Sequence, residues 1–338
     1  MQANPILAEA FRGNWVENRH RGTFSVVDDN GKIVASIGDY QRPVFPRSAI
    51  KSLQAMAMFR SGAVEKFGLD DEEIALACAS HNGESAHVEG VQRFLDKIGC
   101  SIDDLECGAH PPSHSAARKA LQKSGNAPSA IHNNCSGKHS GMLAVAKALG
   151  VPTKDYSKRV HPVQKLVREV VERIIGQELT EDRCGLDGCS IPTWAAPLNT
   201  FAEGFARMAS GNGLPDEMRE DAFQIFDAAT KNPFLIRGTD SLDTDLMTAF
   251  GGRLMIKIGA DGVFCGALRD KSLGFALKID DGNLKVAEVV IAQMLTVLSQ
   301  PNDQEAEVLS RYATSISKNW RKLEVGRIVA TTRVAEAF

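Results

Sequence analysis

Ser48-Ala49-Ile50-Lys51 sets a hydroxyl and an amine three residues apart, where the pattern predicts the start of a helix. That spacing places both side chains on one face, close enough for the amine to take the hydroxyl's proton. Serine is a poor nucleophile at neutral pH, and lysine becomes a base only where burial or nearby positive charge favours its neutral form. The positive end of a helix helps on both counts. The string alone is weak, because Ser315-Ile316-Ser317-Lys318 matches it in a polar segment with no other chemistry nearby. The setting separates the two. Two β-rich runs, Thr23 to Val27 and Ile33 to Ile37, flank the hairpin signal Asp29-Asn30-Gly31. Pro43, Pro46 and Arg47-Ser48 follow, and then a helical run with Ile50, Leu53, Met56, Ala57 and Phe59.

Other residues could share the work. Ser80-His81-Asn82-Gly83-Glu84, with His87 behind it, follows the apolar run Ile74 to Ala79, and Asn82-Gly83 predicts a tight turn that aims backbone N–H groups inward. A polar turn with local caps is the plainer alternative. Lys257-Ile258-Gly259 ends a late strand, and a glycine there lets a substrate approach the backbone, although a strand-terminal surface lysine is the more common explanation of such a string. The block His132-Asn133-Asn134-Cys135-Ser136-Gly137-Lys138-His139 precedes a helix, and Cys184-Gly185-Leu186-Asp187-Gly188-Cys189 lies about fifty positions on. By spacing alone, His132, Cys135, His139, Cys184 and Cys189 could supply a zinc site, although they fit no standard finger or ribbon. Buried inert cysteines, or a Cys135 nucleophile with His139 as its base, are the alternatives.

The elements that must carry these residues show no internal repeat and no low-complexity tract. Val160, Val163, Leu166, Val167, Val170, Val171, Ile174 and Ile175 form an amphipathic stripe ending at Gly176. Helices are also expected over Gly141 to Leu149, Phe201 to Ser210 and Glu288 to Leu298, and strands over Leu254 to Ile258, Val263 to Leu268 and Leu273 to Ile279. The expected fold is therefore α/β: a mainly antiparallel sheet built from both chain ends, flanked by helices, with an inserted helical subdomain. The sheet subdomain is placed at 1–70 and 235–338, and the helical one at 71–234. The chain's 338 residues, 43% hydrophobic content, 24% charged content and net charge of −3 describe an ordinary globular protein, with no basic stripe for nucleic acid. The N-terminus carries no export signal pattern and no apolar run reaches a membrane span, so a cytoplasmic location is expected. Seven cysteines without framework spacing argue against a disulfide scaffold and leave thiols free for metal.

Taken together, the Cys135 block His132 to Leu143, Arg47-Ser48-Ala49-Ile50-Lys51, Ser80 to Glu84 and Asp187-Gly188-Cys189-Ser190-Ile191-Pro192 resemble the rhizobial-type L-asparaginases, also called asparaginase II or class 3. The resemblance spans nearly the whole chain and implies a fold related to serine β-lactamases and serine-lysine glutaminases. It implies two Ser-Lys pairs, Ser48 with Lys51 and Ser80 with Lys257, acting in hydrolysis of L-asparagine to L-aspartate and ammonia. It also implies a Zn2+ ion held by Cys135, Lys138 and Cys189, which departs from the set read by spacing, and it places Arg47, His139 and Asp187 near the substrate. An enzyme of this type is expected to be a homodimer. The competing functions are a serine-lysine glutaminase, a β-lactamase-like hydrolase and a non-catalytic zinc-dependent amino-acid sensor.

Overall fold

The structure is a computed structural model describing residues 3–338. The chain folds into two compact units.

The first comprises the described residues up to Ala49, with Ala195–Gly213 and Asp245–Phe338. Its centre is an antiparallel sheet in the strand order Thr314–Lys318, Glu324–Ala330, Ile6–Arg12, Trp15–Asp28, Leu273–Ile279, Val263–Leu268, Leu254–Gly259. Ile33–Ile37 also pairs with Trp15–Asp28. The sheet is thus built from both chain ends, as the late strand patterns predict. Strands Leu254–Gly259 and Val263–Leu268 are buried at every position, which explains their continuous apolar runs. The hairpin turn is closed by Asp28, whose Oδ1 accepts from the Asn30 and Lys32 N–H groups at 3.0 and 2.9 Å. Helix Leu198–Ser210 packs on strands Trp15–Asp28, Val263–Leu268 and Leu273–Ile279, and helix Leu284–Leu298 packs on Glu324–Ala330 among others. The second Ser-x-x-Lys string lies on the edge strand Thr314–Lys318, whose last three residues are exposed.

The second unit comprises Ile50–Trp194 and Leu214–Thr244 and is mainly helical. Helix Lys51–Arg60 packs against Pro162–Ile175, Ser136–Leu149, Asp71–Cys78 and Asp216–Lys231, so its first residue is surrounded by other helices. Of the predicted stripe, Val163, Val167, Val170, Val171, Ile174 and Ile175 are buried and Leu166 is half-buried, whereas Val160 is exposed ahead of the helix, which starts with Pro162 in its first turn and His161 as the N-cap. A short hairpin, Cys184–Leu186 with Pro192–Trp194, carries Cys189 in its loop.

These boundaries differ from 70/71 and 234/235. Helix Lys51–Arg60 joins the helical unit because its apolar face is buried against helices of that unit, and Leu198–Ser210 joins the sheet unit because it covers three of its strands. Ser48 sits in a 3-10 turn, Arg47–Ile50, and the α-helix begins only at Lys51. Among the described residues no helix is long and apolar enough to cross a membrane.

Candidate active site

In the helical unit, helix Asp71–Cys78 ends in extended backbone at Ala79, which delivers Ser80 in an irregular segment leading to Glu84, the N-cap of helix Ser85–Ile98. Ser80 is held from both sides of its peptide. Its N–H donates to Ile236 O at 2.9 Å, and Arg237 Nη1 donates to Ser80 O at 2.8 Å. The hydroxyl faces Lys51. Lys51 is 1% exposed, and its Nζ donates to Ala79 O at 2.6 Å, to Ser80 Oγ at 2.9 Å and to Cys135 Sγ at 3.2 Å. The Lys51 amine thus hydrogen-bonds the hydroxyl that the resemblance pairs with Lys257. Burial pushes the Lys51 amine down and the nearby Lys138 adds to this, against the pull of Cys135. Lysine accepts a proton only in its neutral form, which burial favours at this position.

Cys135, the residue before helix Ser136–Leu149, sits between two amines. A hydrogen bond with Cys189, followed by the charges of Lys51 and Lys138, brings its thiol well below the ordinary cysteine range despite burial. Cys189 is shifted upward by the same hydrogen bond and by burial. Lys138 Nζ donates to Cys189 Sγ at 2.9 Å, and its upward shift, against burial, comes from Cys189 and Cys135. The three side chains are each 4% exposed or less. Cys189 thus has both Lys138 Nζ and Cys135 as partners, and two cysteines with one amine could serve a metal only after giving up their protons. Asp187 also adds charge beside Lys138.

The wider His and Cys set read from spacing does not assemble. Among the described residues no group of three or more His, Cys, Asp or Glu is placed to hold a metal. One nitrogen of each ring is engaged elsewhere: His132 Nδ1 caps the Ser129 N–H at 3.1 Å, and His139 Nδ1 meets the Tyr156 hydroxyl at 2.6 Å.

In the sheet unit, Lys257 is 1% exposed and donates to Ile258 O at 2.8 Å. Two residues on, a Cβ at Gly259 would stand 2.8 Å from Pro46 O and 3.1 Å from Ala49 N. Only glycine lets this strand end lie against the segment bearing the half-buried Ser48. Arg47, at φ 53°, pairs with Asp261 of the same unit.

Three contributors carry no motif. Arg237 and Tyr156 act through one bond each to Ser80 and His139, and Ser136 Oγ accepts from buried His81 Nε2 at 2.8 Å. The only sequence signal for Ser136 is its place in the Cys135 block.

A buried lysine hydrogen-bonded to a serine hydroxyl is an arrangement suited to covalent hydrolysis. The chain belongs to the L-asparaginase II family, whose model matches residues 8–330. No curated protein matches the sequence. Among solved structures, Mglu in its native form shares 14% identity at a TM-score of 0.46, over 83% of this chain and 65% of that one. A β-lactamase from Mycobacterium bovis shares 14% identity at 0.37, covering 86% and 94%. A putative β-lactamase from Bacteroides dorei DSM 17855 shares 10% at 0.39, covering 86% and 93%. The chain therefore spans under two thirds of Mglu's length.

Proposed function

We propose that this chain hydrolyses L-asparagine to L-aspartate and ammonia through an acyl-enzyme. The observation that carries the reading is the buried Lys51 amine, shifted toward its neutral form and 2.9 Å from Ser80 Oγ. In this reading Ser48 attacks the side-chain amide carbon and Lys51 Nζ takes its proton. Ser80, hydrogen-bonded to that amine, passes the proton to the departing nitrogen, which leaves as ammonia. Backbone N–H groups hold the oxyanion. Water then attacks the ester, the same groups returning its proton to Ser48 and releasing aspartate. Lys257 enters as the second amine from the family resemblance.

Cys135, Lys138 and Cys189 would hold zinc as two thiolates and a neutral amine, with Lys138 and Cys189 each giving up a proton to do so. The ion would supply an electrophilic anchor for the amino-acid end of the substrate. His139 and Asp187 would complete the substrate's polar contacts, with Arg47 as a further candidate. A cytoplasmic homodimer belongs to the same reading, and light scattering of the purified protein checks the dimer.

The deciding experiment compares Ser48→Ala and Ser80→Ala for ammonia release and asparagine binding. Loss of turnover with retained binding in Ser48→Ala is expected. Activity retained there but lost in Ser80→Ala would move the nucleophile to Ser80. L-Glutamine and a β-lactam run alongside separate the related hydrolases, and binding without ammonia would make the protein a sensor.

A further inference from the structure

Tyr156 stands in the turn between helices Ser136–Leu149 and Pro162–Ile175, and it is wholly buried. The turn is tied to Glu106 three times. The Glu106 N–H donates to Tyr156 Oη at 2.9 Å, while its carboxylate accepts the Asp155 N–H at 2.6 Å and the Ser157 N–H at 3.0 Å. Gln164 Nε2 adds a fourth bond, to Tyr156 O at 2.9 Å. Asp155 is held at φ 64°, a conformation that such surrounding bonds must support. All of this fixes where one phenol points.

Tyr156 Oη lies 2.6 Å from His139 Nδ1. Because the oxygen already accepts the Glu106 N–H, the hydroxyl hydrogen has one acceptor among the described residues, the Nδ1 lone pair. A ring N–H at that position would instead leave the buried hydroxyl hydrogen unsatisfied, a costly arrangement. His139 therefore carries its proton on Nε2. That Nε2 is buried and makes no hydrogen bond of standard geometry, although the Cys189 backbone lies close enough to the ring to favour its charged form. A buried ring nitrogen beside the Cys135, Lys138 and Cys189 cluster is therefore not fully engaged by the protein.

We infer that Tyr156 is a positioning residue that locks the neutral Nε2–H form of His139, so that this ring donates to an oxygen of the amino-acid substrate. The substrate clause rests on the proposed asparaginase reaction, whereas the ring form stands on the bonds above. Glu106 acts one step further out, by holding the turn.

The test is nitrogen-15 NMR of the histidine rings in the full-length protein, with His139 assigned by its loss in His139→Gln. The wild-type ring is expected to show a protonated Nε2 and a bare Nδ1. In Tyr156→Phe the ring should redistribute its proton, and KM for L-asparagine should rise about tenfold with a smaller change in kcat, as loss of one neutral hydrogen bond requires. A wild-type ring protonated at Nδ1, or an unchanged spectrum and KM in Tyr156→Phe, would overturn the inference. The wild-type spectrum decides the ring form even if the variant fails to fold. Nε2–H and its redistribution in a protein that releases no ammonia would support the role of Tyr156 and overturn the reaction instead.

Discussion

Gly137 lies between Cys135 and Lys138, in the first turn of helix Ser136–Leu149, where that helix crosses Asp71–Cys78. A Cβ at Gly137 would stand 2.2 Å from Leu76 O and 2.7 Å from Leu76 C. Bringing 2.2 Å up to the 3.0 Å below which real Cβ atoms essentially never come opens at least 0.8 Å between two helix backbones. Neither side can rotate away, because the obstructing atom is a carbonyl. Overpacking of this kind costs about 1–3 kcal/mol. With about 2.1 cal/mol/K of unfolding entropy per residue, a chain of 338 residues melting as one carries roughly 0.7 kcal/mol/K, so Gly137→Ala should lower Tm by roughly 1.5–4 °C. The larger effect is expected on activity. The two helices carry Cys135 and Lys138 on one side and lead into Ser80 on the other, and a misplacement of about 1 Å can cost around 100-fold in rate. Gly141→Ala is the milder comparison: its Cβ would meet Met58 Sδ at 2.9 Å, on a side chain that can swing aside, and Ala77 Cβ at 3.2 Å, so a smaller loss is expected there. Calorimetry and ammonia release on both variants decide the matter. Gly137→Ala indistinguishable from wild type in Tm and kcat/KM would show that the helix crossing does not set the site.

Three further outcomes are expected. Burial, with smaller charge terms, holds His81 well below its ordinary pKa and His87 below it, so the folded chain binds fewer protons than the unfolded one just under pH 6.5. Their stabilisation is whole above pH 6.5 and falls as pH drops toward the folded values, by about 1.4 kcal/mol per pH unit for each ring still neutral. Tm rising monotonically as pH falls from 6.5 to 5 would contradict this. If zinc positions the substrate, chelation should raise KM for L-asparagine while kcat is largely retained, whereas an equal loss in kcat would assign it to the chemical step. Glu305, 1% exposed, accepts from Arg253 Nη1 at 2.5 Å and from the Asn302 N–H at 2.9 Å. Glu305→Ala should lower the urea midpoint by an amount equivalent to about 1–3 kcal/mol, and an unchanged midpoint would refute that.

Much of the scaffold was legible because burial leaves a periodic trace. The three strands from Leu254 to Ile279 and, Leu166 apart, the stripe from Val163 to Ile175 are buried where their apolar spacing predicted. Strands Ile6–Arg12, Thr314–Lys318 and Glu324–Ala330 were not read, since they are largely half-exposed and show neither alternation nor a continuous apolar run. At the site, residue types were visible but partnerships were not. Lys51 reaches Ser80 across 29 positions, through the packing of helix Lys51–Arg60 on Asp71–Cys78, which no local pattern encodes. Spacing suggests His132 and His139 as metal ligands because it cannot reveal that a serine N–H and a tyrosine hydroxyl already engage Nδ1 of each ring.

The pairing of Ile6–Arg12 with Glu324–Ala330, with Ala8 opposite Ala330 and Phe11 opposite Arg327, has a consequence for synthesis. At about 5–20 residues per second, the second strand leaves the ribosome roughly 15–60 s after the first. Strand Ile6–Arg12 can form its hairpin with Trp15–Asp28 at once, but its other edge, beside the fully buried Leu7 and Ala8, waits for nearly the whole chain. An open edge of that kind invites pairing with the wrong chain. Yield of folded protein should therefore depend on how quickly translation finishes and how crowded the nascent chains are.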